Sequence, residues 1–555
     1  MRSFLDIVTH RRLFRYHTLL AALLGGVVTG VAWTWNTRAA SGADAYGYVS
    51  EAELWLHGNP RIDQRFAAEA PWPLTEHTFS PLGYRPSDDG SHIVPTYSPG
   101  LPLMMAAAKA LGSLALGARR GHCFVFWVVP VLAGVLVFAT HGIGVLIGRP
   151  LVGLAAAWLV ATSPAVLFMS MWPMSDVPAA AAWTLAVALL IAETRWTAAG
   201  AGLIACLAVL VRPNLIPLAA VLTLWIGWRD VTACRRDWHQ ACTPWFVFGA
   251  CFGVIGVMFI YARLYGSPFR SGYGILSDKF AIRWIPRNFQ HFSEWLISTE
   301  TPLAVLGLLS LAFPFIHMWT DDRARRVSSL LAGCTAMVWG SYLAYVTFYE
   351  WWYLRFLLPS WPMMAIGTAS LLAACYRLRT TWAQVIAVGA LIGVGVHGLV
   401  TARQRGVFDL ARQESVYVEA ARAVEAFAGP DDVIISQQFS GSTRYYAGRL
   451  TLRYNYLEPQ WLDRAVQWLA ERGHHSYFLL TDTEVWRLRS EFGQGSKLAR
   501  LDWTPTAVLR GGQVRLYDSV PRYMNTEPFS VPETAQAPCQ PPRPNPTLRT
   551  ITESK

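Results

Sequence analysis

Two aspartates stand where an apolar run gives way to a short polar one, a place within reach of both lipid head groups and water. Asp44 opens the segment Asp44-Ala45-Tyr46-Gly47-Tyr48-Val49-Ser50-Glu51-Ala52. Tyr48 and Ala52 follow it at i+4 and i+8, so all three share one face of a short helix. Asp176 lies in Trp172-Pro173-Met174-Ser175-Asp176-Val177-Pro178, again with a helix-starting pattern behind it. A carboxylate in such a place either caps its helix or takes a proton from an acceptor hydroxyl. A pair of them is also able to orient an acceptor or ligate a divalent cation. Arg355, in Trp351-Trp352-Tyr353-Leu354-Arg355-Phe356-Leu357-Leu358-Pro359, sits among aromatics at the end of another apolar run. It either snorkels or grips a phosphate with its planar fork. Tyr97, in Tyr97-Ser98-Pro99-Gly100-Leu101-Pro102-Leu103, precedes a rigid turn into an apolar helix, and His92 is close enough in sequence to line the same cleft. Arg212, before Pro213, marks the tip between two further apolar runs.

Positioning these groups is the task of a membrane protein. The chain has 555 residues, 53% hydrophobic and only 15% charged, with a mean hydropathy of +0.28; soluble domains carry about 25% charge. Apolar stretches long enough for a bilayer recur, and the spacing predicts eleven spans at roughly 17–37, 122–147, 151–171, 178–194, 197–211, 214–228, 243–265, 301–319, 327–349, 356–375 and 382–401. With His10, Arg11, Arg12 and Arg15 cytoplasmic, Arg149, Arg195, Arg229, Arg235, Arg236, Arg323, Arg325, Arg326, Arg377 and Arg379 all fall on the same side. The net charge of +11 therefore reflects sidedness, not nucleic-acid binding. Residues 99–117 would invert that pattern as a twelfth span and read instead as an interfacial helix with Lys109 snorkelling.

The expected organisation is a transmembrane catalytic domain over 1–401, with a long first outer loop at 39–121 and a second at 266–300. An extracytoplasmic α/β domain follows at 402–520, and then a tail over 521–555 whose eight prolines predict no fixed structure. Within 402–520, helices are expected at 413–428, 460–472 and 484–492, strands at 432–436, 450–456 and 477–480, and a hairpin at 508–517 turning on Gly511-Gly512. The eight cysteines include no CxxC pair, which points to neither a zinc site nor a disulfide framework, and Cys539 stands alone in the tail.

Asp44 with Tyr48, the PGLPL entry at 99–103, Ser175-Asp176, Arg212-Pro213 and RFLLP at 355–359, in this order, resemble the GT-C class of membrane glycosyltransferases. They are most similar to the bacterial branch related to protein O-mannosyltransferases and lipid A aminoarabinose transferases. The resemblance covers about residues 10–400. It implies inverting transfer of a sugar from a polyprenyl-phosphate donor to a glycan, lipid or protein acceptor on the outer face of the bacterial inner membrane, with Asp44 as base. No certain cofactor follows; if a divalent cation takes part, the carboxylate pair Asp44 and Asp176 would hold it. Ala45 departs from the second acid of O-mannosyltransferases, and Gly47 and Ser98 from the Arg and Lys of aminoarabinose transferases. These departures shift the phosphate contacts onto Arg355 and Arg212, with Tyr48, Tyr97 and His92 as further substrate contacts. A lipid-linked sugar flippase is the alternative, but it should carry ionisable residues along its spans, which here are nearly free of charge.

Overall fold

The computed structural model describes residues 2–147, 149–233, 240–312, 319, 321–378, 380–520 and 528–543. Arg235, Arg236 and Arg379, counted above for sidedness, lie outside them, as do 521–527 and 544–555 of the tail. The chain divides into two units. One comprises Met1–Asn36, Trp127–Phe259 and Ile275–Leu410; the other Thr37–Phe126, Ile260–Gly274 and Ala411–Lys555.

The first unit is helical. Among the described residues of the whole chain, six helices are long and apolar enough to cross a membrane: Tyr16–Thr34, Ala118–Leu146, Pro213–Thr232, Thr243–Tyr265, Trp351–Tyr376 and Thr381–Gln404. Leu19, Leu23, Leu224, Phe252, Phe259 and Ile386 leave about half or more of their surface uncovered, a pattern that suits lipid and not water. The chain is a multi-pass membrane protein. Helices touch where neither has a side chain: a Cβ on Gly153 would lie 3.0 Å from the Gly144 Cα, and one on Gly367 would lie 2.4 Å from the Gly307 carbonyl oxygen. Such small-residue contacts let helix backbones approach closely in lipid.

The run expected as one span at 151–171 is bent. Pro150–Ala161 and Pro164–Ser170 meet at 64°. Ser163 precedes a proline and so avoids the helical region (φ −66°, ψ 124°), and its hydroxyl caps the second piece at the Val166 amide. The same hydroxyl donates to Glu300 at 2.6 Å. The span expected at 356–375 is likewise preceded by a tighter 3-10 turn over Trp351–Ser360, which carries Arg355.

The second unit contains the Asp44–Leu56 helix packed on the Gly100–Leu116 helix, and two sheets. The small antiparallel sheet joins β1 (Ile62–Asp63), β2 (Tyr84–Pro86) and β3 (His92–Pro95) in the order β1-β3-β2. The larger sheet has β4 (Val433–Ile435), β5 (Leu450–Leu452), β6 (Ser476–Thr481), β7 (Ala507–Leu509), β8 (Val514–Asp518) and β9 (Phe529–Ser530). Its order is β5-β4-β6-β8-β7-β9. β5, β4 and β6 run parallel, β8 runs antiparallel to both β6 and β7, and β9 is parallel to β7. Trp72 and Phe79 of the first loop join Val433, Leu452, Leu469, Phe478 and Leu488 in one core.

The expected strand at 450–456 stops at Leu452, because the Arg453 amide turns away to the Thr78 carbonyl at 2.7 Å and Tyr454 enters the core. The hairpin turns through Arg510, Gly511 and Gly512, all at positive φ. The expectation of an unstructured tail fails for 528–543. β9 adds to the sheet, the Thr534 amide donates to Glu419 at 2.6 Å, and Arg543 pairs with Glu425 at 2.6 Å. Backbone pairing and ion pairs hold this segment without an apolar stripe.

Candidate functional site

Asp44 is the first residue of its helix but not its cap. The cap position belongs to Ala43, whose side chain makes no cap bond. The Asp44 carboxylate instead accepts a hydrogen bond of 2.5 Å from the Tyr97 hydroxyl. Tyr97 is buried, its ring centroid 4.7 Å from that of Tyr48 and 5.8 Å from that of Tyr273. Burial first, then the Asp44 charge, pushes the Tyr97 hydroxyl well above its ordinary pKa, so it remains a donor. Asp44, Tyr48 and Tyr97, singled out in the sequence, are thus brought together.

The local sequence explains the arrangement. A Cβ on Gly47 would lie 2.3 Å from the Tyr97 ring, so only glycine admits that ring against the helix. Glycine at position 47 is therefore a packing requirement. Ser98 bonds the Tyr261 hydroxyl at 3.2 Å, and Tyr265 donates to the Pro95 carbonyl at 2.8 Å, fixing both sides of Tyr97.

Sequence reasoning missed Glu51, which continues the stripe of Asp44 and Tyr48 at i+7. It has no exposed surface; Trp55 donates to one oxygen at 3.0 Å, and the other is buried without a partner. Burial raises its carboxyl to about 8. The i, i+4, i+7 spacing was the available signal. Glu53, on the opposite face, pairs with Lys109 and lies 3.3 Å from His122. Burial alone would raise its carboxyl, but His122 and Lys109 more than offset that and hold it below its ordinary value. Lys109 therefore does not snorkel into water; its ammonium closes an ion pair between two helices. His92 joins β3 to β1 through Asp63 at 3.0 Å, so it is a strand-end pair and not a lining of the Tyr97 cluster.

The helical unit holds the other cluster. Asp176, 1% exposed, opens the Asp176–Ile191 helix behind Ser175, whose side chain makes no cap bond. Arg212 donates to it at 2.6 Å and to the Ser175 hydroxyl at 3.1 Å, and its other arm reaches the Tyr342 hydroxyl at 3.3 Å. Asn214 donates to that same hydroxyl at 2.9 Å. Arg355 lies 4.0 Å from the second Asp176 oxygen, its guanidinium 5.1–5.2 Å from the ring centres of Trp352, Tyr353 and Phe356. At 9% exposure it is wrapped in aromatics and does not snorkel. Two guanidiniums against one carboxylate leave one positive charge in excess within this trio, the requirement for holding an anion.

Asp44 and Asp176 belong to different units, and each has a partner within its own: Tyr97 and Arg212. Asp176, gripped by Arg212, is an ion-pair partner and not a base awaiting a proton. Among the described residues, no three His, Cys, Asp or Glu side chains gather as metal ligands. A carboxylate already compensated by arginines suits a cation poorly.

No family model matches this sequence, and no curated protein is significantly similar to it. Solved structures are. ArnT from Cupriavidus metallidurans, bound to undecaprenyl phosphate, matches 91% of this chain and 99% of its own, with a TM-score of 0.50 and 13% identity. The oligosaccharyltransferase AglB from Archaeoglobus fulgidus, in complex with an inhibitory peptide and a dolichol-phosphate, matches 92% of this chain and 74% of its own. Its TM-score is 0.52 and its identity 11%. At such identities the likeness is one of fold.

Proposed function

We propose that this chain is a glycosyltransferase that moves a monosaccharide from a polyprenyl-phosphate carrier to an acceptor at the outer face of the bacterial inner membrane. The observation that carries the reading is the Asp44 carboxylate at the start of its helix, oriented by a buried tyrosine hydroxyl. Asp44 removes the acceptor proton as the acceptor oxygen attacks the anomeric carbon. The bond from that carbon to the phosphate oxygen breaks with inversion, and the carrier leaves as its phosphate. Arg355, with Arg212 behind it, holds the phosphate as charge grows there. Asp176 positions both guanidiniums. The likeness of fold to two proteins solved with polyprenyl or dolichol phosphate supports a lipid-phosphate donor.

The same reading includes eleven crossings. These are the six long helices, the bent pair as one, Asp176–Ile191, Arg195–Val211, Pro302–Leu311 and Asp322–Leu343, with Gly100–Leu116 lying on the outer surface. It also makes 402–520 a soluble extracytoplasmic domain. Purified protein given synthetic polyprenyl-phosphate sugars and a panel of glycan, lipid and peptide acceptors should release polyprenyl phosphate in step with a glycosylated product. Movement of donor between leaflets without its consumption would instead make the chain a flippase. Reporter fusions at 174 and 402 test the sidedness, and cytoplasmic activity at either position refutes it.

A further inference from the structure

We propose that Tyr273 is the surface on which the acceptor docks, and that the acceptor is a glycan whose pyranose ring lies flat against the tyrosine. The proposal deepens the reading above and rests on Asp44 as its base. Tyr273 lies in the loop after the Thr243–Tyr265 helix, within the same unit as Asp44, Tyr48 and Tyr97. Its ring centroid stands 5.8 Å from that of Tyr97 at an interplanar angle of 81°, and the Tyr97 hydroxyl is the group that donates to Asp44 at 2.5 Å. Rings so nearly perpendicular meet edge to face, so at least one face of Tyr273 is clear of Tyr97. Tyr273 is 48% exposed, against 6% for Tyr48 and 5% for Tyr97. Of the three tyrosines gathered here, it is the one that offers a face to a ligand.

The loop holds that face in place. Gly272 comes so near the first loop that a Cβ on it would lie 2.0 Å from the Thr96 carbonyl oxygen. Arg85 donates to the Ser271 and Gly272 carbonyls at 3.3 Å each, and Arg270 pairs with Asp88 at 2.8 Å. The turn is closed on itself: Ser271 and Gly274 exchange backbone hydrogen bonds of 3.3 and 2.9 Å, and the Tyr273 amide donates to the Ser271 hydroxyl at 3.3 Å. An aromatic on so constrained a turn loses little freedom when a ligand arrives. Its chemistry selects the ligand. The face of an aromatic ring is negative, and a pyranose presents on one side axial C–H bonds, apolar and weakly positive, with hydroxyls around its rim. Stacking removes that C–H face from water and leaves a rim hydroxyl to meet Asp44. An acyl chain would match the apolar face but carries no hydroxyl for the base. A peptide serine or threonine carries the hydroxyl but no C–H face of ring size.

The test has two arms, both on the full-length protein. In the first, 3-fluorotyrosine is placed at position 273 alone, and its fluorine resonance in detergent is followed as methyl glucopyranosides, methyl mannopyranosides and then sorbitol are added. The expected result is a saturable shift with at least one pyranoside and none with the acyclic sorbitol. An equal response to sorbitol, or no response to any pyranoside, overturns the proposal. So does a resonance that moves only on transfer into lipid nanodiscs, which would make Tyr273 an interfacial anchor. In the second arm, turnover is measured with the glycan acceptors of the panel above. Tyr273→Phe keeps the ring and should change the acceptor KM by less than about twofold. Tyr273→Leu should raise it about tenfold, the size of one good aromatic contact, with kcat and the donor KM unchanged. An unchanged acceptor KM in the Leu variant overturns the proposal. Transfer to a lipid or peptide but to no glycan overturns the acceptor class and leaves the transferase reading standing. No release of polyprenyl phosphate with any acceptor brings down the transferase reading, and the fluorine arm still decides the stack.

Discussion

Replacing Asp44 by Asn separates a catalytic carboxylate from a structural one. An amide oxygen still accepts the Tyr97 hydroxyl, so the bond of 2.5 Å survives with a neutral acceptor. Hydrogen bonds to charged groups contribute about 1.5–3 kcal/mol against about 0.5–1.5 for neutral ones, so that change costs about 1 kcal/mol. Losing a negative charge in the first helical turn costs about 0.3–1 kcal/mol more. Ala43 and not Asp44 holds the cap position, so the variant should fold with a melting temperature only a few degrees lower. The rate tells a different story. An amide does not take up the acceptor proton, and loss of a general base slows turnover by about 10²–10⁴-fold, or about 2.7–5.5 kcal/mol of barrier. The assay is release of polyprenyl phosphate by purified protein, with carrier binding measured separately on the same sample. Intact carrier binding with turnover lost is the expected result. Wild-type turnover by Asp44→Asn refutes the role of Asp44 as base. Tyr97→Phe is the companion: it removes the orienting donor but keeps the base, so turnover should fall about tenfold.

Arg355→Lys keeps the charge but loses the planar fork and its contacts with three aromatic rings; KM for the carrier should rise about tenfold or more, and an unchanged KM would remove Arg355 from phosphate binding. Asp176→Asn leaves Arg212 and Arg355 buried with no countercharge in their trio, and breaking such a pair costs about 3–5 kcal/mol. Thermal unfolding in detergent should show a clear drop, recovered in part when Arg212 is also replaced by Gln. Glu51 binds its proton more tightly when folded, its carboxyl raised by burial from an ordinary 4.5 to about 8. Its contribution is therefore complete below about 4.5 and fades as pH rises through about 8. Glu51→Gln should flatten the fall in thermal stability over that window, and an identical pH dependence in both proteins would contradict a neutral Glu51.

What could be read from the residues was whatever is local in sequence. Asp44 and Tyr48 lie one helical turn apart, and Trp352, Tyr353 and Phe356 surround Arg355 in the chain as they do in space. Contacts made by packing were not readable. Arg212 looked like a hairpin tip because hydropathy gives the ends of two runs but not their neighbour, and its partner Asp176 comes from an earlier run. Lys109 looked like a snorkelling residue because Glu53 enters only when two helices pack. The bend at Ser163-Pro164 was written in residue chemistry, but an averaged apolar window passes over one polar residue. The tail misled because prolines argue against helix and core while leaving edge pairing open, and two residues of β9 suffice for that.

β9 has a consequence for the sheet it joins. Without it, β7 would present an unpaired row of backbone donors and acceptors, a template on which another chain's strand could add. The Phe529 amide and the Val531 amide occupy that row by donating to the Thr506 and Val508 carbonyls at 3.1 and 3.0 Å. The segment that composition marks as dispensable therefore acts as a guard against edge-to-edge association. A chain cut at Val520 would retain every residue of both clusters and still be prone to self-assemble through β7.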